Sequence, residues 1–233
     1  MTVRPRKTSA AGTHDPDRAP LRRRGRPSDA STDDTVAAVL VAARRQFAAR
    51  GYAATTNRTV ADDAGLTHTA IYNHFGSKAR LFLAVFVDVQ NLLIEELERS
   101  ARAVPIEPAI PRALLDAIEA LRAADPSYVE FLASMYVEVR RHPQLREVFQ
   151  GGEPFPIVDL LRRFSAGPVP GTPIDDAEGS MWFWIAFALG LAQLSALADP
   201  ETFAGTVRAF RRQFASTTVT RPDPPDSTGG TRS

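Results

Sequence analysis

The sequence predicts an all-α protein, with an N-terminal three-helix head built on a helix-turn-helix and joined by one long helix to a helical body. Three observations carry this expectation. Apolar residues recur at intervals of three and four through successive segments from Val36 to Phe214, and no segment alternates with the period of a strand. Two short amphipathic stretches, Thr56 to Ala64 and His68 to Phe75, are separated only by Gly65-Leu66-Thr67, the spacing of a tight turn between helices. A longer helical pattern then runs from Ser77 to about Ala103 without a break.

Composition bounds the function before any element is placed. The 233 residues include no cysteine, which excludes a disulfide, a thiolate zinc site and a cysteine nucleophile. The formal net charge of +1 hides an asymmetry: residues 1–28 carry eight basic and two acidic side chains, leaving 20 basic against 25 acidic in the rest. A basic arm ahead of an acidic body is the arrangement expected where only the N-terminal end meets a polyanion. Residues 1–30 are rich in Pro, Arg, Ser and Ala and are expected to form a disordered arm. Its densest charge, Arg22, Arg23, Arg24 and Arg26, reads either as a solubilising tail or as an arm on phosphates and in a narrow minor groove. The helix-turn-helix downstream favours DNA contact. No apolar run follows the first arginines, so the arm is not read as a secretory leader, and its prolines argue against a transit helix.

The first helix is expected from Ser31 to Arg50. Ser31 and Asp34 have capping-box spacing, and Val36, Leu40, Ala43 and Phe47 mark one buried face. Gly51 is expected to end it in a left-handed cap, with Tyr52 folding back. The second helix follows, with Val60, Ala61 and Ala64 inward, and Thr67 is placed to cap the third. In that third helix Ile71 and Phe75 fall on one side and Thr69, Tyr72 and Asn73 on the other. Two turns do not hold themselves together in water, so the apolar side must be packed and the polar side presented, as in a recognition helix.

The stretch from Gly25 to about Val85 resembles the DNA-binding domain of the TetR family of bacterial transcriptional regulators. The resemblance rests on a Gly25-Arg26-Pro27 arm, Phe47-Ala48-Ala49-Arg50-Gly51-Tyr52, Ala64-Gly65-Leu66-Thr67 and the ending Tyr72-Asn73-His74-Phe75-Gly76-Ser77-Lys78. It implies that Thr56 caps the second helix and that Arg58 lies near the phosphate backbone. It implies further that Thr67, His68, Thr69 and Asn73 start or line the base-reading face, while Tyr72, His74 and Lys78 approach phosphates. The chemistry agrees: asparagine pairs bidentately with adenine, threonine meets a thymine methyl, and a cation at a helix start joins amides that already favour an anion. His74 lies at the edge of the buried face, so packing is its competing role. Three departures from the family pattern bear on the head. Asn57 takes an inward position usually aliphatic and must find a partner, turn outward or cost stability. Thr59 replaces the usual acid, which is expected to remove the reciprocal half of a capping box. Thr69 stands where glycine is common and adds a side chain at the closest approach to DNA.

Ser77 is expected to cap the long fourth helix, with Leu81, Phe82, Val85, Val89, Leu92 and Leu93 as its apolar stripe. Pro105, Pro108 and Pro111 then read as a stiff non-helical link. Helical patterns follow at about Arg112 to Ala123, Ser127 to Arg141, Leu145 to Phe164 with an interruption at Glu153-Pro154-Phe155-Pro156, Asp175 to Leu197, and Pro200 to Ser216. The expected domain limits are thus 1–30 for the arm, 31–78 for the head, 79–216 for the body and 217–233 for a disordered tail. No charge falls between Glu178 and Asp199, a stretch just long enough to span a bilayer. Gln193, Ser195, several alanines and the absence of flanking basic clusters favour a buried helix and no membrane.

The family resemblance implies a body that binds a small-molecule effector and dimerises through its last two helices. Residues assigned to that interface are Ala188, Ala192, Ser195, Ala196, Phe203, Val207, Phe210 and Phe214. Tyr128, Phe131, Met135, Tyr136, Trp182, Trp184 and Phe187 are the pocket candidates, with ordinary core as the competing reading. Such a lining suits an apolar or flat aromatic ligand. Catalytic groups, metal ligands and cofactors are not expected: the four histidines lack ligand spacing, and Gly151-Gly152 is no phosphate loop. The expectation is therefore a cytoplasmic, non-enzymatic regulator. It would repress from a palindromic operator on double-stranded DNA as a homodimer, with release by an effector of unknown identity. The rival is a helical interaction or scaffold protein that keeps the fold without operator function.

Overall fold

A computed structural model describes residues 32–103, 109–151, 156–164, 173–174 and 176–216, and among these every regular element is an α-helix. The basic arm with Arg22, Arg23, Arg24 and Arg26, the Ser31 cap and the C-terminal tail lie outside the described residues. The head is α1 (Thr32–Ala54), α2 (Asn57–Ala64) and α3 (His68–Phe75). The connecting helix is α4 (Lys78–Ala103), and its first turn is capped by the Ser77 hydroxyl, which accepts from the Arg80 N–H at 3.2 Å. The body adds α5 (Ala109–Ala124), α6 (Ser127–Arg141), α7 (Pro143–Gln150), α8 (Pro156–Phe164), α9 (Ala177–Leu197) and α10 (Pro200–Ser216).

Two details of helix placement depart from expectation. Pro111 is not in a link but in the first turn of α5, where a missing N–H has no intrahelical acceptor to forgo. The buried face of α1 runs through Val39, Ala42, Ala43 and Phe47, while Val36 and Leu40 are only half-buried, because α1 packs against α2, α4 and α6 at once.

One core runs through head and body. Phe47 of α1 meets Phe82 of α4 edge-on at 4.9 Å, and Phe82 meets Phe131 of α6 at 5.0 Å. Aromatic contacts of this kind add to the burial of large apolar area. α4 carries Leu81, Phe82, Val85, Phe86 and Val89 into that core and packs on α1, α5, α7 and α8. α9, long and apolar enough to cross a membrane, instead packs against α5, α6, α8 and α10 and buries Trp184, Leu191 and Ala192. Its outer side stays open, with Trp182 58% and Leu197 83% exposed.

Candidate nucleic-acid interface

The recognition unit is held by caps and turns that the local sequence dictates. Gly51 breaks α1 at φ 74, ψ 174, a conformation nearly restricted to glycine. Its ψ is extended, so the chain leaves the helix here without the left-handed helical cap expected from sequence. A Cβ at this position would also lie 2.8 Å from Glu138 Oε1 on α6. Beyond the break Tyr52 turns inward against Phe82, with ring centroids 5.6 Å apart, and Thr55 is fully buried.

Thr56 caps α2, accepting from the Thr59 N–H at 3.1 Å, and the Thr59 hydroxyl accepts in return from the Thr56 N–H at 3.2 Å. The capping box is therefore complete, contrary to the expectation that losing an acid removes half of it; a hydroxyl three residues on reaches the same donor. Asn57 is half-buried with its Oδ1 enclosed and without a hydrogen-bond partner, the arrangement of the third sequence alternative. Gly65, at φ 68, closes α2, and the Leu66 N–H returns to Ala61 O at 2.9 Å. Thr67 caps α3 by accepting from the Ala70 N–H at 3.3 Å. Gly76, at φ 71 and ψ −43, ends α3 in a γ-turn closed by the Ser77 N–H on Phe75 O at 2.8 Å.

These supports leave α3 with one side sealed and one side open. Ile71 is fully buried and Phe75 half-buried, whereas His68, Thr69, Tyr72 and Asn73 are exposed and share a face by helical spacing. Tyr72 is 61% exposed, which rules out core packing for it. His74 is exposed as well, touching only the edge of the core through Phe75 at 6.3 Å, so the packing reading fails. Thr56, Arg58 and Thr67 are all at the surface. The open face offers a neutral amide, two hydroxyls and an imidazole, groups that both donate and accept and so suit base edges.

Lys78 is placed differently from expectation. Its Nζ donates to Tyr52 O at 2.8 Å and Thr55 O at 2.9 Å, and it lies 4.2 Å over the Tyr52 ring. Burial lowers its pKa, against the opposing charge of Glu138. The ammonium thus satisfies carbonyls left over where α1 ends, and its first task is to hold the head together. No signal in a single sequence distinguishes that lysine from a phosphate contact.

Beneath the recognition unit lies a charged junction that the sequence reading missed. Arg44 of α1, 2% exposed, donates from Nε to Ser127 Oγ at 2.8 Å and from Nη2 to Asp125 Oδ2 at 2.9 Å. Its guanidinium also lies 3.4 Å over the Tyr128 ring. Burial opposes ionisation of Asp125, but hydrogen bonds from Ser127 and Arg45 and the charge of Arg44 outweigh it and hold the carboxyl well below the usual range. Close by, His142 Nε2 lies 3.1 Å from Glu138 Oε2, and its ring is 4.9 Å from Tyr52.

The body holds a small, partly open cavity of about 80 Å³. It is lined by Phe86, Gln90 and Leu93 of α4, Ile118 of α5, Leu132, Met135 and Tyr136 of α6, and apolar side chains of α8 and α9. Of the seven pocket candidates only Met135 and Tyr136 are there. Tyr128 is taken by Arg44, Phe131 by the Phe47 and Phe82 cluster, and Trp182 points outward. Trp184 and Phe187 pack with Phe214 at 6.1 and 5.6 Å, between α9 and α10. Aromatic character misled because it marks core and pocket alike. Ala188 and Ala192, assigned to a dimer surface, line the cavity. Ser195, Phe203 and Val207 are also buried inside the subunit, with Arg122 bonding Ser195 O at 2.8 Å and lying over the Phe203 ring. Of the interface candidates Ala196 is exposed, and Ala188, Phe210 and Phe214 are half-buried.

Comparisons with known proteins agree with the geometry. Residues 39–85 match the profile of the family described as bacterial regulatory proteins, tetR family. The chain is 38% identical over 80 residues to the HTH-type transcriptional repressor Rv3405c of Mycobacterium tuberculosis, covering 34% of this chain and 43% of that protein. It is 30% identical over 100 residues to the HTH-type transcriptional activator FasR of Mycolicibacterium smegmatis, covering 43% of this chain and 41% of that protein. The matches therefore span less than half the length of these curated relatives. Among solved structures, a transcriptional regulator from Rhodococcus sp. Rha1 superposes with a TM-score of 0.56 at 22% identity, over 80% of this chain and 99% of that one. NalD, described as the secondary repressor of the MexAB-OprM multidrug efflux pump in Pseudomonas aeruginosa, gives 0.52 at 22% identity, over 78% of this chain and 97% of that one. At that identity the likeness is one of fold.

Proposed function

We propose that the chain, whose residues 39–85 match the tetR-family profile, is a member of that family and a ligand-responsive transcriptional regulator, acting as a repressor on a palindromic operator. The observation that carries the reading is α3, a helix sealed on its Ile71 side and open on its His68, Thr69, Tyr72 and Asn73 side. Those four residues read base edges and flanking phosphate, with Thr56, Arg58, Thr67 and His74 around them, and the charge of the arginine-rich arm adds attraction to the phosphate backbone. A two-fold operator requires two copies of the chain. The open side of α9, with Trp182, Ala196 and Leu197, supports dimerisation there. The body cavity supports a ligand that is apolar, and its walls on α4 and α6 are elements that also hold the head, so occupancy favours one head spacing over another.

The test is a gel shift on the chain's own upstream DNA and on operators selected from genomic fragments. Salt-sensitive, sequence-selective retardation by a dimer is expected. Retardation that is absent, or equal on all sequences, overturns the reading and leaves an interaction protein that has kept the fold.

A further inference from the structure

Gln90 lies in the middle of α4, 2% exposed, and neither its Oε1 nor its Nε2 has a hydrogen-bond partner. It lines the body cavity, whose other described walls are apolar apart from the phenol of Tyr136, and no described lining residue carries a charge. An enclosed amide without partners costs stability comparable with a lost hydrogen bond on each end, and a leucine in its place would avoid that cost. A side chain of this kind in such a wall is a polar anchor awaiting a complementary group.

We propose that the cavity takes a neutral ligand bearing a carboxamide, lactam or imide group on an apolar body, with Gln90 pairing both its carbonyl and its N–H. The inference rests on the reading of this cavity as the effector site. Only a group with an acceptor beside a donor satisfies both ends of Gln90. A carboxylate would accept from Nε2 but set its charge against Oε1, with no described cation in the wall to compensate. A pure hydrocarbon would fill the space and leave the amide as it is.

The full-length protein is titrated by ligand-observed NMR with three probes of one shape, benzamide, isopropylbenzene and benzoate, in the wild type, Gln90→Leu and Gln90→Met. Benzamide is expected to weaken tenfold or more in both variants, isopropylbenzene to bind unchanged or more tightly, and benzoate to bind none of the three proteins. Both variants are expected to melt at or above the wild-type temperature, since each removes an orphaned amide. If benzamide is indifferent to the substitutions, or both neutral probes weaken together, Gln90 is not the anchor and the cavity remains a site for apolar ligands. If neither neutral probe binds the wild type, the cavity is no ligand site and this inference falls with it, while the operator gel shift decides DNA binding separately. Unfolding of both variants would also overturn it, because the amide would then already be partnered in the folded protein.

Discussion

At the scale of single residues the open face of α3 and its support separate cleanly. Asn73 is exposed and holds nothing in the subunit, so Asn73→Ala is expected to leave the melting temperature unchanged and to lose about 1 to 3 kcal/mol of discrimination at one operator position. Titrations against operators substituted one base pair at a time would show it; an equal loss on every sequence would move Asn73 from base to backbone. Asn57 lies on the support side, with its Oδ1 buried and unpaired. Replacing it with leucine is expected to raise stability by about 1 kcal/mol in urea unfolding, because it removes an unsatisfied acceptor. A loss of stability there would mean that the amide has a partner after all. Lys78→Ala, by contrast, strips two backbone carbonyls of their donor, so any loss of DNA affinity must be judged together with its loss of stability.

At the scale of elements the decisive break is Gly51, where α1 gives way to the segment leading into α2. Gly51→Ala is expected to cost about 1 to 3 kcal/mol, since φ 74 with ψ 174 strains any side chain and the new methyl meets Glu138 Oε1 at 2.8 Å. Circular dichroism melts would measure it, and an unchanged melt would show that α1 and α6 part without cost. The helices themselves were largely legible. The limits of α6 and α10 coincide with expectation because Pro126 and His142-Pro143 bracket one and Pro200 opens the other, and proline punctuates a helix by geometry alone. The turn around Gly65 and the caps Thr56 and Thr67 were legible for the same local reason. What joins distant helices was not. The approach of Glu138 to Gly51, the seat of Arg44 on Asp125 and Ser127, and the choice of Met135 over Phe131 as a cavity wall arise from packing between segments, which local pattern does not encode.

At the scale of the whole molecule the head and the body share one buried charge cluster. Asp125→Asn removes the carboxylate paired with the enclosed Arg44, leaving it only the more distant charge of Asp88, and is expected to lower stability by about 3 kcal/mol at neutral pH. Because the Asp125 carboxyl titrates below its ordinary value of 3.8, its contribution is complete above about pH 4 and is lost as pH falls through the lowered value. The gap between wild type and variant should therefore stay constant from pH 8 to 5 and narrow only below about pH 4; a gap that closes near neutrality would point to a different titrating group. The same cluster governs how this protein can be re-engineered. Residues 32–77 look like a transplantable reader, yet Arg44 and Phe47 find their partners beyond α4, at Asp125, Ser127 and Phe131. A chimera spliced at the start of α4 inherits half of a lock, and a new body accepts this head only if it brings the acid, the hydroxyl and the ring to the same places.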